Sequence, residues 1–228
     1  MTPGHARTAL VTGRLVLAAA VAVCLVARYL WGIGWVEPAN FFAYLTIQSN
    51  IAFVVVSAIS GIVALRHGVD HPRLDTVRGA VLSYVVTAGL VYALIVQQGA
   101  ARGFPIPVPW SDVALHWVLP VLAIADWLLS PRRGRLSWRV LVGVIAFPIG
   151  WGVVTMIRGP LVDWYPYYFL DPTQVADPLE FVSLCSLALA VFAVVGAAVI
   201  WVRPIPGRRT SRETAPAVRA PASPARRR

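Results

Sequence analysis

Two residues of types that catalyse acyl transfer, a threonine and a histidine, lie near the starts of two apolar segments. Thr46 stands in the stretch NFFAYLTIQSN and His116 in the stretch SDVALHWVLP. Each follows the expected helix start by five residues, which places both ~8 Å below the same end of two helices that run in the same direction. A neutral hydroxyl needs a base to take its proton before it attacks, and imidazole is such a base. The pair therefore predicts nucleophilic catalysis.

Other polar residues accompany this pair along the sequence. Asp112 precedes His116 by four residues, where it would orient the imidazole and stabilise its charged form. Three polar residues follow Thr46 within one helical turn. An oxyanion formed during acyl transfer needs hydrogen-bond donors. The candidates for that role, among which the sequence does not choose, are Asn50, Ser49, Gln48 and Arg28.

Charged residues within apolar segments need partners. Arg28 lies inside the first segment, where it either extends outward to the membrane interface or faces the bundle. In the bundle it would pair with a substrate carboxylate or with an acid such as Glu180, which otherwise stabilises the start of its own helix. Asp126 is expected to meet Arg132, Arg133 or the interface.

A purely structural interpretation of Thr46 and His116 is also open. In membrane helices, a threonine hydroxyl often bonds to the carbonyl one turn back along its own helix. A lone histidine can hydrogen-bond two helices together without taking part in any reaction. The residue types alone do not separate this interpretation from catalysis.

Composition and hydropathy predict an all-α, polytopic membrane protein. The chain has 228 residues, of which 58% are hydrophobic and 13% are charged, and soluble domains carry about twice that charged fraction. A helix needs ~20 apolar residues to cross the hydrocarbon of a bilayer. Residues 14–203 are expected to form one domain with six such helices, at about 15–35, 41–65, 79–98, 111–130, 139–157 and 179–202.

The arginines predict the topology. They concentrate before the first segment, between segments two and three, between segments four and five, and after the last. This positive-inside pattern places both termini in the cytoplasm, in a multi-pass protein of the cell membrane. Residues 1–13 form a cytoplasmic N-terminal segment, expected to be disordered like the cytoplasmic tail 204–228, which is rich in Arg, Pro and Ala.

The same distribution bears on partners and cofactors. The net charge of +10 is explained by topology and by attraction to anionic lipid headgroups, so a nucleic-acid partner is not expected. Neither cysteine has metal-ligand spacing with a histidine. The sequence predicts membrane lipids as partners, with no metal site and no cofactor, and it does not predict an oligomeric state.

Two loops between the segments have distinctive sequences. GFPIPVPW is expected to be extended, because its prolines alternate with other residues. DWYPYYFLDP is rich in aromatic residues, which are typical of the membrane interface. The second loop is therefore either part of an aromatic belt or a lid over a site.

The strings YLTIQSN and HWVLP, together with six spans and cytoplasmic termini, resemble the androgen-induced membrane proteins and their bacterial relatives. That family includes hydrolases of fatty acid esters of hydroxy fatty acids. The resemblance implies an intramembrane lipid-ester hydrolase, in which Thr46 is the nucleophile and His116 the general base. The residues after Thr46 and the loop prolines resemble a bacterial subgroup, many of whose members have no assigned activity. The alternative is a non-catalytic membrane protein that binds a lipid or small molecule, or a small transporter.

Overall fold

A computed structural model describes residues 3–67, 72–103, 107–130 and 136–202, with side chains from residue 8 onward. Within these ranges nearly every residue outside short loops is helical and none belongs to a strand. A single 3₁₀ turn, Tyr168–Leu170, interrupts the loop before the last helix. The helices are α1 (Pro3–Gly32), α2 (Pro38–Phe41), α3 (Leu45–His67), α4 (Pro72–Ala101), α5 (Trp110–Leu129), α6 (Arg139–Val162) and α7 (Pro178–Trp201).

Six of these helices, all except the short α2, are long and apolar enough to cross a membrane. The prediction of an all-α six-helix bundle is confirmed. Many large apolar side chains point out of the bundle, among them Val121, Val154 and Val194, which are each more than 60% exposed. Soluble proteins do not leave so much contiguous apolar surface in water. Lipid hydrocarbon is the environment in which this surface is stable.

The two ends of the bundle differ in composition. Residues 33–44, 102–103, 107–109 and 163–177 lie at one end and supply many aromatic side chains, so we call it the aromatic end. Arg14, Arg78 and Arg139 lie at the other end, which we call the arginine end. An apolar core separates the ends, and α4 is central to the bundle because it packs against α3, α5, α6 and α7.

The second span departs from its predicted bounds. The sequence predicted one helix from residue 41 to 65, whereas α2 ends at Phe41 and α3 begins at Leu45. The intervening carbonyls are bonded by side chains: Trp151 Nε1 donates to Ala43 O at 2.9 Å, and Gln48 Nε2 donates to Phe42 O at 3.1 Å. Thr46 is therefore the second residue of its helix, and the predicted depth of five residues is wrong.

The N-terminal prediction also needs correction. Residues 1–13 were expected to be disordered, but α1 is helical from Pro3 onward. The reason is that this segment has no helix-breaking run after Pro3, and a proline is well tolerated in the first helical turn. The predicted disordered tail, 204–228, lies outside the described residues.

Candidate functional site at the aromatic end

His116 lies in a π-helical turn of α5. The turn spans Ala114–Val118, and the Leu119 N–H donates to the Ala114 carbonyl, five residues back. Pro120 explains this local geometry, because it has no N–H to donate to the His116 carbonyl and its ring would crowd that carbonyl in a regular helix. π-turns are rare and occur often at functional sites.

The ring of His116 is held in a defined tautomer. Its Nδ1 lies 2.9 Å from the Asp112 carbonyl oxygen, one turn back on the same helix. Because a carbonyl only accepts hydrogen bonds, Nδ1 carries a proton, and in the neutral imidazole Nε2 is then the nitrogen with the free lone pair. The Tyr92 ring of α4 stacks on the imidazole, with ring centroids 3.8 Å apart and planes 15° from parallel. In its neutral form this buried histidine therefore has Nε2 as its basic nitrogen.

Close packing of α4 on α5 makes this stack possible. Gly89 of α4 faces the π-turn, and a Cβ placed there would lie 2.4 Å from the His116 carbonyl oxygen and 3.2 Å from the Pro120 ring. Only glycine permits such an approach of two backbones. Neither the role of Gly89 nor the stacking of Tyr92 was predicted from the sequence.

Asp112 interacts with Arg28 as well as with His116. Its carboxylate Oδ1 accepts a hydrogen bond from Arg28 Nε at 2.7 Å, and the guanidinium also lies over the Trp31 ring at 4.8 Å. Asp112 therefore orients His116 through its backbone carbonyl, whereas its carboxylate pairs with Arg28 of α1. Of the partners that the sequence suggested for Arg28, Glu180 is not the one found, because Glu180 pairs with Arg102 at 2.6 Å.

Thr46 is buried at the start of α3, and its hydroxyl meets a residue of the loop between α6 and α7. The Thr46 Oγ1 atom lies 3.4 Å from the Tyr167 hydroxyl oxygen. No hydrogen bond joins Thr46 to His116 in the described part of the chain. Tyr167 was not predicted from the sequence, which pointed only to the loop as a whole.

The side chains of the polar residues after Thr46 donate hydrogen bonds to backbone carbonyls. Ser49 Oγ and Asn50 Nδ2 both donate to the Thr46 carbonyl, at 2.9 and 2.8 Å. Gln48 Nε2 is occupied by Phe42, as described above. The donor groups of Ser49, Asn50 and Gln48 are thus engaged, although Asn50 Oδ1 is buried without a hydrogen bond to any described residue.

Tyr44 connects the surroundings of Thr46 with those of His116. Its ring packs edge-on against Tyr167, with centroids 5.9 Å apart. Burial raises the pKa of Tyr44, the charge of Arg28 lowers it and the charge of Asp112 raises it, so both charges act on this hydroxyl. Tyr44 thus packs on Tyr167 and is within the electrostatic reach of Arg28 and Asp112.

The loop 163–177 packs into the bundle. Pro166, Phe169 and Leu170 are buried. Tyr168 donates a hydrogen bond to Gln98, and its ring lies 4.8 Å from the Arg102 guanidinium carbon. The loop thus packs against α4 and, through Tyr167, meets the start of α3.

Glu180, at the start of α7, continues this anchoring. It joins Arg102 and also accepts a hydrogen bond from the Ala176 N–H at 2.6 Å. Its carboxylate therefore ties the end of the loop to the end of α4, and it takes no part in the surroundings of Arg28.

A second charged cluster lies at the arginine end. Asp126 of α5 accepts from Arg14 Nε at 2.9 Å and from Arg78 Nη2 at 2.6 Å, one arginine on each carboxylate oxygen. Arg14 also donates to Ser60 and Ser130. These arginines lie on α1 and α4, whereas Arg132 and Arg133, which the sequence suggested as partners of Asp126, lie outside the described residues.

The structure thus brings Arg28, Asp112 and His116 together, and it places Thr46 with Tyr167 at the same end of the bundle. It separates Glu180 from Arg28. Comparison with protein families, with curated proteins and with solved structures finds no match to this chain.

Proposed function

We propose that this chain is an intramembrane hydrolase of lipid esters, with Thr46 as the nucleophile and His116 as the general base. One observation carries the proposal. An imidazole fixed through Nδ1 and stacked on Tyr92 leaves Nε2 available as a base at the aromatic end of the bundle, where the Thr46 hydroxyl is also buried. An alcohol and a base are the minimum for covalent acyl transfer.

The reaction follows from these two groups. His116 Nε2 takes the Thr46 proton, a bond forms between Oγ1 and the ester carbonyl carbon, and the carbonyl electron pair moves to oxygen. Collapse of this intermediate breaks the ester bond, and His116 gives its proton to the departing alkoxide. Water then attacks the acyl-threonine with His116 as base, which releases the fatty acid and restores the Thr46 hydroxyl.

Catalysis by this pair requires a change in hydrogen bonding at Thr46. The hydroxyl must exchange its contact with Tyr167 for a hydrogen bond to His116 Nε2 when the ester binds. Contacts between catalytic groups are often long in the free enzyme and shorten in the substrate complex. The lipid-facing apolar surface of the bundle supports an ester substrate with a long acyl chain that partitions into the bilayer.

The proposed location is the cell membrane, with the aromatic end outside and both termini in the cytoplasm. The arginine distribution supports this orientation. The test is a single cysteine at Thr173 in a variant without Cys24 and Cys185. A membrane-impermeant maleimide should label it in intact cells, whereas labelling only after permeabilisation would reverse the topology.

Activity-based labelling tests the hydrolase. The full chain in lipid nanodiscs is treated with a fluorophosphonate, which phosphonylates activated hydroxyls, and is assayed with a long-chain 4-nitrophenyl ester. Thr46→Ala and His116→Ala should abolish both labelling and turnover, whereas Thr46→Ser, which keeps a hydroxyl, should retain them. Thr155→Ala removes a different buried threonine hydroxyl and is the matched control, which should keep both. Labelling that persists in Thr46→Ala would remove the assignment.

A second candidate function is the non-catalytic binding of a lipid or small molecule. Buried polar atoms that lack hydrogen-bond partners among the described residues include Arg28 Nη1, Asn50 Oδ1 and Thr87 Oγ1. Buried polar groups are normally satisfied, so such atoms favour a polar ligand or bound water. This function predicts binding without turnover, and binding that is unchanged by His116→Ala.

A further inference from the structure

We propose that the Tyr167 hydroxyl donates the hydrogen bond that stabilises the oxyanion during acyl transfer to Thr46. This inference rests on the proposed function, because it assigns a role in the same reaction. It adds a catalytic residue from the loop between α6 and α7, and none of the donors considered from the sequence lies in that loop.

The Tyr167 hydroxyl lies where an oxyanion donor is needed. It is 3.4 Å from Thr46 Oγ1, and the oxyanion would form two bonds away from Oγ1, on the carbonyl carbon that it attacks. A phenol at this distance from the nucleophile is within reach of that oxygen. Thr46 is also in the first turn of α3, where backbone N–H groups have no partners within the helix.

The other candidate donors are directed elsewhere. The donor groups of Gln48, Ser49 and Asn50 are bonded to the carbonyls of Phe42 and Thr46. Arg28 donates from Nε to Asp112, and its guanidinium lies over a tryptophan ring. Its Nη1, which has no hydrogen-bond partner among the described residues, lies beside Gly32 of its own helix. An oxyanion hole works because its donors are already in place when charge develops. Tyr167 fits this condition best, since its hydroxyl already lies 3.4 Å from the nucleophile Oγ1, two bonds from where the oxyanion would form.

The ring of Tyr167 is held by its aromatic neighbours. It stacks parallel to Phe169 with centroids 5.5 Å apart and planes 3° from parallel. Trp151 and Tyr44 contact it at centroid distances of 5.7 and 5.9 Å. Three aromatic rings, from the loop, from α6 and from the α2–α3 connection, thus fix the direction of the hydroxyl. Such preorganisation lets a donor act without reorganisation during the reaction.

The protonation state is compatible with this role. Burial raises the pKa of Tyr167 to about 12, against smaller lowering effects of the hydrogen bonds at Thr46 and Leu45. The phenol therefore keeps its proton at neutral pH and acts as a donor. In the reaction, the phenol O–H bond stays intact while the proton of Thr46 goes to His116. When the intermediate collapses, the electron pair returns to the carbonyl and the hydrogen bond to Tyr167 weakens.

The test compares two single-atom deletions in neighbouring tyrosines. Tyr167→Phe removes the proposed donor and keeps the ring contacts. Tyr168→Phe removes a hydroxyl that bonds Gln98 and is the matched control. With the long-chain 4-nitrophenyl ester, kcat of Tyr167→Phe should fall by about 10²- to 10³-fold with KM nearly unchanged. The rate of fluorophosphonate labelling should fall in parallel, and Tyr168→Phe should keep both values close to those of the wild type.

The outcomes separate the two proposals. If wild-type turnover depends on Thr46 but Tyr167→Phe retains or exceeds wild-type kcat, this inference is overturned while the hydrolase stands. If the wild type shows no turnover that depends on Thr46, both are overturned. Should Tyr167→Phe fail to fold, 3-fluorotyrosine at position 167 keeps the hydroxyl and lowers its pKa. The alkaline limit of activity should then move to lower pH, and an unmoved limit would overturn the inference.

Discussion

Gly89 lies so close to the backbone carbonyl of His116 that a Cβ on Gly89 would stand 2.4 Å from the carbonyl oxygen. This contact joins the central helix to the π-turn, and the Tyr92 stack on the imidazole lies one turn further along α4. Gly89, which has no side chain, and Pro120, which has no N–H, therefore together determine the position of His116.

Gly89→Ala should displace the π-turn, because the added methyl group meets backbone that has little room to move. Overpacking of this kind costs about 1–3 kcal/mol. We expect a lower temperature of unfolding in detergent, measured by tryptophan fluorescence, together with a lower kcat. The control is Gly150→Ala, since a Cβ there has no neighbour within 4 Å. Equal unfolding temperatures for the two variants would show that α4 and α5 can move apart at position 89 without loss of stability.

Asp126→Asn should destabilise the arginine end strongly. The carboxylate is shared by Arg14 and Arg78, and removing one partner of a buried ion pair leaves charge without compensation. The expected loss is about 3 kcal/mol in the free energy of unfolding. Glu37→Gln makes the same chemical change at an exposed residue whose side chain forms no helix cap. Denaturant titration of both variants measures their free energies of unfolding. Equal values for Asp126→Asn and Glu37→Gln would show that the cluster does not stabilise the fold.

Tyr167 should make the fold sensitive to alkaline pH. Its pKa is about 12 in the folded protein, against ~10 in an unfolded chain. The folded pKa is the higher one, so the stabilisation is fully present below pH ~10 and is lost as the pH rises toward 12. Tyr167→Phe should lose less stability than the wild type across this interval. Unfolding temperatures measured between the two pKa values test the prediction, and parallel curves for both proteins would contradict it.

Gly159→Ala should loosen the loop between α6 and α7. A Cβ at this position would lie 2.1 Å from the Tyr165 ring, so the ring must move away from the end of α6. We expect faster proteolytic cleavage within residues 163–177 and a reduced kcat. Gly152→Ala, in the same helix and with an open Cβ position, should be cleaved at the wild-type rate. Equal rates for both variants would show that Tyr165 does not hold the loop.

The spans were predictable because apolar length is a property of the local sequence. The break before Leu45 was not, because NFFAYL continues the apolar pattern and the groups that satisfy its carbonyls, such as Trp151 Nε1, are distant in sequence. The π-turn had a local signal that was not used, since Pro120 follows His116 by four residues. The partners of Asp126 were sought among the nearest arginines in sequence, whereas helix packing supplied Arg14 and Arg78.

The candidate site was predictable in its residue types but not in its contacts. Thr46, His116, Asp112 and Arg28 all lie at the aromatic end. Tyr167 follows Thr46 by 121 positions in the sequence. It reaches Thr46 only because the loop between α6 and α7 folds back on the bundle, and the contacts of such a loop cannot be predicted from a helical pattern.

The start of α3 at Leu45, later than the predicted residue 41, has a consequence for how hydrolysis products would leave. Thr46 stands one residue from its helix start, so the water that must cleave an acyl-threonine needs no passage through the middle of the bilayer. A freed polar alcohol would escape to the aqueous phase, while the liberated fatty acid would stay in the adjoining leaflet. The two halves of one ester would thereby be sorted into different compartments at the moment of cleavage.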